Sequence, residues 1–332
     1  MKFFKKSNPD SPKVSVLVPV YNVEKFLPQC LDSLQAQKLK DIEFICVNDG
    51  STDSSLEILK TYAANDPRFV LIDKANSGYG ASMNAGLAKA KGEFVGLVES
   101  DDFANSNMFS DMYKFASKNN LDLVKSNYYE YENNASIFIE PFEGIRYKAI
   151  LCPQETRELF LRLPIVWSAL YNRNFLVSNK IRFNETPGAS YQDTSFTQQC
   201  WIAAKRVAVL PKGYLNYRID NPDSSVKSNA KIFEVCYEYE LTEQFISESE
   251  DRKYALEMLA PLKTGTYFWN YSRLTDEARL EFAARMIEEF KDLANKNLLS
   301  PEFIDPERYE IIQYMLSATS AKEFCEKYNH EI

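Results

Sequence analysis

The sequence has little histidine and no cysteine pair of the kind that binds zinc. Its 332 residues include a single histidine, His330, and six cysteines without a CxxC motif. The cysteines are widely scattered, at Cys30, Cys46, Cys152, Cys200, Cys236 and Cys325. No zinc site is therefore expected. Free thiols and the lack of a secretory signal peptide predict a protein of the reducing cytoplasm.

The sequence also has fewer basic than acidic residues and lacks long apolar runs. The chain has 39 basic and 47 acidic residues, a net charge of -8, which argues against a nucleic acid as partner. No apolar stretch approaches the roughly 20 residues of a membrane-spanning helix. The segment MKFFKK, residues 1–6, is a candidate for peripheral contact with the cytoplasmic membrane face. A disordered terminus is the competing interpretation.

The glycine motifs that bind phosphate are missing as well. Where a dinucleotide-binding fold would show GxGxxG after its first strand, this chain has Pro19, Val20, Tyr21 and Asn22. No GxxxxGK[ST] loop occurs in the sequence. These absences argue against a dehydrogenase, a nucleoside triphosphatase or a nucleotidyltransferase.

What the sequence does contain is a series of apolar runs separated by helical patterns. Buried strands are predicted at residues 13–20, 42–47, 69–72 and 94–98. After the first run, apolar residues at helical spacing predict a helix whose start Asn22 is suited to cap. The alternation predicts an α/β fold with a mainly parallel sheet flanked by helices. The loops at the carboxyl ends of the strands should then meet at one edge.

Acidic residues lie in two of these loops. Glu99, Ser100, Asp101 and Asp102 follow the fourth predicted strand directly. Oxygen ligands favour Mg²⁺ or Mn²⁺, and magnesium is usually held by one or two carboxylates together with substrate phosphates. A phosphorylated partner is therefore expected, although a solvated turn would look similar.

Asp49 follows the second predicted strand. Its carboxylate is able to accept a hydrogen bond from a nucleotide base, and Gly50 beside it allows close approach of backbone. The alternative is a tight turn that caps the next helix.

Four sequence blocks extend this picture. VSVLVPVYN, VNDGSTD, NSGYGASMNAGLAKAKGE and VESDD occur in this order, and the similarity covers roughly residues 13–225. They resemble the family 2 glycosyltransferases of the GT-A fold, which is Rossmann-like. The resemblance implies inverting transfer of a sugar from a nucleoside diphosphate donor, usually a UDP-sugar, to an acceptor hydroxyl, with Mn²⁺ or Mg²⁺.

The resemblance also implies site residues. Asp101 would bind the metal and Asp102 would support it. The donor nucleotide would be held by Pro19, Val20, Tyr21, Asn22, Asp49, Gly50, Asn76, Glu99 and Ser100. Two positions depart from the family pattern, because Glu99 replaces an aspartate and Met83 stands where many relatives carry arginine.

A fifth block, YQDTSF, contains the implied catalytic base. Asp193 matches the carboxylate that takes the proton from the acceptor hydroxyl, while Gln192 replaces the usual glutamate. A base on the face opposite the leaving group is what an inverting displacement requires. Without the family context, a helix cap would be the preferred interpretation of Asp193.

Further candidates come from two other segments. The segment 215–228 resembles the part with which relatives close over the donor, and its candidates for the diphosphate are Arg218, Ser224, Ser225 and Lys227. Trp167 is a candidate for stacking on an acceptor sugar, with burial in the core as the alternative.

The chain is long for one core and is predicted to form two units. We expect a flexible segment at 1–12, a GT-A domain at 13–228 and a helical domain at 229–332. Aromatic residues of the last part suit an acceptor platform, a homodimer interface or simple core packing. Bacterial capsule, exopolysaccharide or lipid-linked glycan synthesis is the expected pathway. A sugar-nucleotide-binding protein that has lost catalysis is the alternative.

Overall fold

The computed structural model describes residues 11–222 and 231–329. Residues 1–10, Ser224, Ser225, Lys227 and His330 lie outside these ranges, so the predictions made for them are not addressed. The described chain forms two compact units. The first contains residues 11–153 and 163–222, and the second contains residues 154–162 and 231–329. The short stretch 154–162 in the second unit had no counterpart in the sequence-based boundaries.

A single sheet organises the first unit. Its strands in the described residues are β1 (Val14–Val20), β2 (Ile42–Asp49), β3 (Phe69–Lys74), β4 (Phe94–Leu97), β5 (Phe103–Ala104), β6 (Leu123–Glu132), β7 (Ala135–Ile139), β8 (Ala169–Asn172) and β9 (Val207–Arg218). The order across the sheet is β3-β2-β1-β4-β8-β6-β9-β5, and β7 pairs with β6.

The sheet is parallel in one half and mixed in the other. β1 pairs in parallel with β2 and β4, and β2 with β3. β8 runs antiparallel to both β4 and β6, whereas β6 and β9 are parallel. β6 and β7 form a hairpin through Asn133 and Asn134, both with positive φ. The predicted α/β class is confirmed, but mainly parallel pairing holds only for β1 to β4.

Helices flank this sheet. They are α1 (Leu27–Gln35), α2 (Ser55–Asn65), α3 (Tyr79–Lys89), α4 (Met108–Asn119), α5 (Arg173–Ser178) and α6 (Gln192–Ala203). The apolar face predicted for α1 is buried, through Leu27, Cys30, Leu31 and Leu34.

The start of α1 differs from the prediction. The helix begins at Leu27, with Pro28 in its first turn, and not next to Asn22. Asn22 adopts a left-handed conformation with φ of 47°. Its side chain accepts a hydrogen bond from Thr52 N at 2.7 Å, so it joins two loops and does not cap a helix.

The second unit is helical, as predicted for this part of the chain. It contains 3₁₀ segments Arg157–Leu159 and Glu250–Met258, with α7 (Glu234–Ser247), α8 (Leu259–Ser272), α9 (Asp276–Asn295), α10 (Pro306–Ser317) and α11 (Ala321–Lys327). The aromatic residues divide between core and surface. Tyr239, Tyr267, Phe268 and Tyr271 are fully buried, whereas Tyr237 and Trp269 are 43% and 49% exposed.

A buried ion cluster supports the helices of the second unit. Lys263 donates to Glu289 at 2.9 Å and to Glu243 at 2.7 Å, and the Tyr267 hydroxyl donates to Glu289 at 2.6 Å. Burial alone would raise the pKa of Glu289, but Lys263, Tyr267 and Arg285 hold it below its usual value. Within the ranges described above, no helix is long and apolar enough to cross a membrane.

Candidate active site

The loops after β1 and β2 are tied to each other at one edge of the sheet. Beyond the bond from Thr52 to Asn22, Asn22 N donates to Ser51 Oγ at 3.1 Å. Glu24 N donates to Asp53 Oδ2 at 2.9 Å, and Ser54 N donates to Glu24 Oε2 at 2.7 Å. Tyr21 stands at this junction with 53% of its surface exposed, while Pro19 and Val20 are buried in β1.

Asp49, at the end of β2, is buried and connects the loop after β3 to this edge of the sheet. Its Oδ1 accepts from Lys74 Nζ and, at 2.9 Å, from Ser77 N, while Oδ2 accepts from Gly78 N at 2.9 Å. A carboxylate offers about four acceptor positions, so one position remains for a ligand. Lys74, at the end of β3, is therefore paired with Asp49.

Gly50 allows the backbone of the loop after β3 to lie directly on the loop after β2. A Cβ at Gly50 would lie 2.8 Å from Asn76 N, closer than real Cβ contacts allow. Gly50 also has φ of 69°, a region that L side chains rarely adopt. Asn76 itself is exposed. The close backbone approach that the sequence predicted at Gly50 is therefore present in the structure, with Asn76 as the neighbour.

Glu99 opens the acidic loop after β4 and is held by an aromatic hydroxyl. Tyr79 of α3 donates to Glu99 Oε1 at 2.7 Å. Burial raises the pKa of Glu99 to about 8, and the charges of Asp101 and Asp193 act in the same direction. The bond from Tyr79 has the opposite effect. Asp193 therefore lies near enough to act on the acidic loop.

The two aspartates of this loop are organised by the end of β9. Arg218 N donates to Asp102 Oδ1 at 2.8 Å, and Arg218 Nε donates to the Asp101 carbonyl at 2.9 Å. Asn221 Nδ2 donates to Asp101 Oδ2 at 2.7 Å. Ser100, between these groups and Glu99, is 9% exposed. The acidic loop is thus fixed from a strand more than a hundred residues away in sequence.

The aspartate pair offers oxygen ligands for a divalent cation. Asp102 is 1% exposed, and within the described part of the chain its Oδ2 has no hydrogen-bond partner. A buried carboxylate oxygen without a partner is costly unless a cation or donor is supplied. No group of three or more His, Cys, Asp or Glu side chains among the described residues is arranged as a complete metal cage. These observations fit a cation that takes its remaining ligands from a substrate.

Arg218 itself is a poor diphosphate ligand, contrary to the expectation from the sequence. Its guanidinium bonds the Asp101 carbonyl, Asp220 and Gln29, and it is 7% exposed. Its Cζ also lies 4.7 Å and 4.9 Å from the ring centroids of Phe26 and Tyr131. All three guanidinium nitrogens are therefore engaged within the chain, and the side chain braces the acidic loop.

Asp193 lies in the first turn of α6, a helix that begins directly after Tyr191, whose φ is 55°. Burial raises the pKa of Asp193 to about 6. Hydrogen bonds from Thr194 and from its own backbone N–H oppose this rise, as does the charge of Lys125. A carboxylate of this kind is a competent base near neutral pH.

The residue before it, Gln192, has a structural role that explains its departure from the family pattern. Its Nε2 donates to Thr186 Oγ1 at 2.8 Å and to the Gly188 carbonyl at 3.2 Å, and its Oε1 accepts from Ser190 N at 2.6 Å. A carboxylate has no hydrogen with which to make the bond to Gly188. Met83 is also explained, because it is 1% exposed and belongs to the buried apolar core.

Helix α3 holds the segment that leads to Asp193. Asn84 Nδ2 donates to the Phe183 carbonyl at 2.8 Å, and its Oδ1 accepts from Phe183 N at 3.0 Å. A Cβ at Gly80 would lie 1.7 Å from the carbonyl oxygen of Asn184. The small residues of the third sequence block therefore let α3 lie directly on this segment.

Trp167 belongs to a buried aromatic cluster. It is 8% exposed and stacks on Tyr217, with ring centroids 5.2 Å apart, while Tyr128 meets it edge-on at 4.9 Å. Burial raises the pKa of Tyr217, and so do the charges of Asp102, Asp101 and Glu99. Tyr217, which is only partly buried, is therefore the member of the cluster that borders the acidic loop.

Sequence reasoning missed several residues of this site, namely Gln29, Tyr79, Lys125, Tyr217 and Asn221. Tyr79 lies inside the block NSGYGASMNAGLAKAKGE, whose glycines are its most evident feature. The other four carry no motif of their own, and their partners are distant in sequence. A lysine in an apolar strand, as at Lys125, was the one signal that could have been followed.

Comparisons with known proteins agree with this arrangement. The profile of the family described as Glycosyl transferase family 2 matches residues 15–170. The chain is 36% identical to the glycosyltransferase EpsJ of Bacillus subtilis (strain 168) over 225 residues, which are 64% of this chain and 62% of EpsJ. EpsH of the same organism is 30% identical over 250 residues, covering 72% of this chain and 71% of EpsH.

A solved structure is similar over almost the whole chain. The crystal structure of S. aureus TarS 1–349 in complex with UDP-GlcNAc matches with a TM-score of 0.78 and 20% identity, covering 96% of this chain and 90% of TarS 1–349. The fold is therefore the GT-A fold with additional C-terminal helices. The chain belongs to glycosyltransferase family 2. It spans less than two thirds of the length of EpsJ.

Proposed function

We propose that the protein is an inverting glycosyltransferase of bacterial surface polysaccharide synthesis. It moves a sugar from a nucleoside diphosphate donor, most simply a UDP-sugar, to a hydroxyl of a glycan or lipid-linked acceptor. Family membership supports the transfer reaction, and the UDP-GlcNAc complex of TarS supports a UDP-sugar donor. The proposed product is a capsule, an exopolysaccharide or a lipid-linked glycan.

One observation supports the proposal most directly: Asp193 is close enough to Glu99 of the acidic loop for the two carboxyl groups to interact electrostatically. The charge of Asp193 acts on Glu99 and on Tyr79, which is hydrogen-bonded to Glu99. A base and a cation site in one cleft are what a displacement at the anomeric carbon needs. The base then serves the attacking hydroxyl, and the cation site serves the departing diphosphate.

In this proposal the donor nucleotide lies across the loops after β1, β2 and β4. The exposed ring of Tyr21 is available to stack on the base, and the remaining acceptor position of Asp49 suits its N–H edge. Asn22, Asn76 and Ser100 line the same edge. Ser224, Ser225 and Lys227 remain proposed diphosphate contacts outside the described residues.

Asp101 and Asp102 would hold Mn²⁺ or Mg²⁺. When bound, such a cation neutralises charge on the leaving diphosphate as a Lewis acid. The chain's own part is to keep both carboxylates in place through Arg218 and Asn221.

Asp193 acts on the acceptor. Its carboxylate accepts the proton of the acceptor hydroxyl while the oxygen of that hydroxyl bonds to the anomeric carbon and the bond to the diphosphate breaks. Such a base contributes about 10² to 10⁴ in rate. The acceptor sugar would approach along the aromatic cluster, where Tyr217 is better placed than the buried Trp167.

The alternative is a sugar-nucleotide-binding protein without catalysis. Its support came from the departures at Glu99, Met83 and Gln192. Because the structure gives Met83 a place in the core and Gln192 three local hydrogen bonds, neither position weighs against catalysis. Glu99 alone keeps the alternative open, and it is tested by turnover.

Thermal unfolding with UDP, GDP, CDP and ADP, each with and without Mn²⁺, tests donor and metal together. A ligand at 100 times its dissociation constant stabilises by about 2.7 kcal/mol, which raises the unfolding midpoint by several degrees. We expect a shift with UDP that requires Mn²⁺ and that Asp101→Asn removes. Asp251→Asn, at an exposed carboxylate of the second unit, is the matched control and should keep the shift. No shift with any nucleotide would contradict the proposed donor site.

A further inference from the structure

A buried lysine packs against the helix that carries the proposed catalytic base. Lys125 is on β6 and is 1% exposed. Its Nζ donates to the carbonyl of Ile165 and lies 5.4 Å from the ring centroid of Trp201, a residue of α6. Thr197 of the same helix donates to the carbonyl of Pro164, the neighbour of Ile165, at 3.2 Å. Asp193, Thr197 and Trp201 are four residues apart and share one face of α6, so Lys125 packs against the face that carries the base.

Burial of the Lys125 ammonium group opposes folding, and its hydrogen bonding compensates for this only in part. An ammonium group has three donors, and in residues 11–222 and 231–329 one hydrogen-bond acceptor, the Ile165 carbonyl, is found for them. Taking a charge out of water for a single bond to a neutral carbonyl opposes folding. Burial accordingly lowers the pKa of Lys125 to about 8. A costly buried charge beside a proposed active site indicates a role in the reaction.

We propose that Lys125 is a positioning residue of the transfer reaction, whose buried ammonium group keeps the Asp193 carboxylate in its charged, proton-accepting form. This inference rests on the proposed function, in which Asp193 is the base. The ammonium does not touch the reacting atoms. It acts through the electrostatic attraction between opposite charges in a poorly solvated interior, where such attraction is strong.

Other titratable groups also face Asp193. Glu99, in the loop after β4, and Tyr79, on α3, both interact electrostatically with Asp193, and so does Tyr171 on β8. Burial raises the pKa of Glu99 to about 8 and the pKa of both tyrosines well above its usual value, so near pH 6 these three groups are uncharged. Lys125 is the cation that lowers the pKa of Asp193.

The test is the titration of Asp193 itself, read by NMR of protein labelled with ¹³C at the aspartate carboxyl carbons. The Asp193 signal is identified by its loss in Asp193→Asn. In the native protein we expect a midpoint near pH 6. Lys125→Gln keeps a donor for Ile165 and removes the charge, so its Asp193 midpoint should rise by at least about one pH unit. Lys125→Met should give the same rise if the glutamine variant does not fold.

Lys212→Met is the matched control. Lys212 is a partly exposed lysine of β9, so its loss changes the net charge equally and should leave the Asp193 titration in place. A folded Lys125 variant with an unchanged Asp193 midpoint would overturn the inference. Because this readout needs no donor sugar, its failure is distinguishable from failure of the proposed function, which would appear as full turnover in Asp193→Asn.

Discussion

At the scale of single residues, the positions that depart from the family pattern are the ones the structure explains best. The amide of Gln192 fastens the segment before Asp193 through donors that a glutamate lacks. Glu99 is one methylene longer than the usual aspartate, and its carboxylate is bonded by Tyr79. Both side chains have partners within the chain, and turnover decides whether Glu99 permits catalysis.

Gln192→Glu, which restores the family's usual residue, should therefore destabilise this protein. The side chain is 2% exposed, so the substitution places a buried carboxylate oxygen, without a donor, against the Gly188 carbonyl that Gln192 Nε2 contacts at 3.2 Å. An unsatisfied buried group of this kind costs about 1 to 3 kcal/mol of the free energy of unfolding. Thermal unfolding measures the change as a midpoint lowered by several degrees.

The matched control is Gln313→Glu, at an exposed position of α10. It makes the same chemical change on the surface, where substitutions stay within about 0.5 kcal/mol. Equal midpoints for Gln192→Glu and the native protein would show that the bonds of Gln192 are not needed.

At the scale of elements, α3 connects the acidic loop with the segment that leads to Asp193. Its first residue, Tyr79, bonds Glu99 of the acidic loop, and its Asn84 bonds Phe183 in the segment that leads to Asp193. The glycines and other small residues of the block NSGYGASMNAGLAKAKGE therefore allow α3 to pack closely against its neighbours.

Gly80→Ala should disturb that packing. The added methyl group would lie 1.7 Å from the Asn184 carbonyl oxygen, so α3 or the segment must move. Overpacking of this kind costs about 1 to 3 kcal/mol. We expect a lower thermal midpoint together with slower turnover, since Asp193 follows the displaced segment.

Gly265→Ala is the control for the same exchange in a helix. Gly265 lies in α8, and a Cβ there would meet nothing within 4 Å. Alanine is favoured over glycine in a helix interior by about 0.5 to 1 kcal/mol, so this variant should be slightly more stable than the native protein. A Gly80→Ala protein as stable and active as native would rule out the proposed role of the close contact.

At the scale of the whole molecule, the sequence predicted the parallel half of the sheet and the helical second unit. The first four strands are buried runs joined by helices, and their loops converge because parallel strands end at the same edge. The mixed half could not be predicted, because short strands such as Phe103–Ala104 pair with partners over a hundred residues away.

The same reason limits the predicted site. Asp49, Asp101 and Asp193 carry local motifs, so the sequence could name them as candidates. Their contacts with Lys74, Arg218 and Lys125 could not be predicted, because these arise only from packing between distant segments. Arg218 shows the error that follows, because a cation near a donor segment was taken for a phosphate ligand and instead braces the loop that carries Asp101.

The central claim is that this protein transfers sugars with Asp193 as base, and turnover tests it most directly. UDP release from UDP-glucose, UDP-galactose and UDP-GlcNAc is to be measured with Mn²⁺ for the native protein and for Asp193→Asn, together with UDP binding. The account predicts release that falls by about 10² to 10⁴ in the variant, while the thermal shift with UDP is kept. Equal release by the two proteins would contradict it.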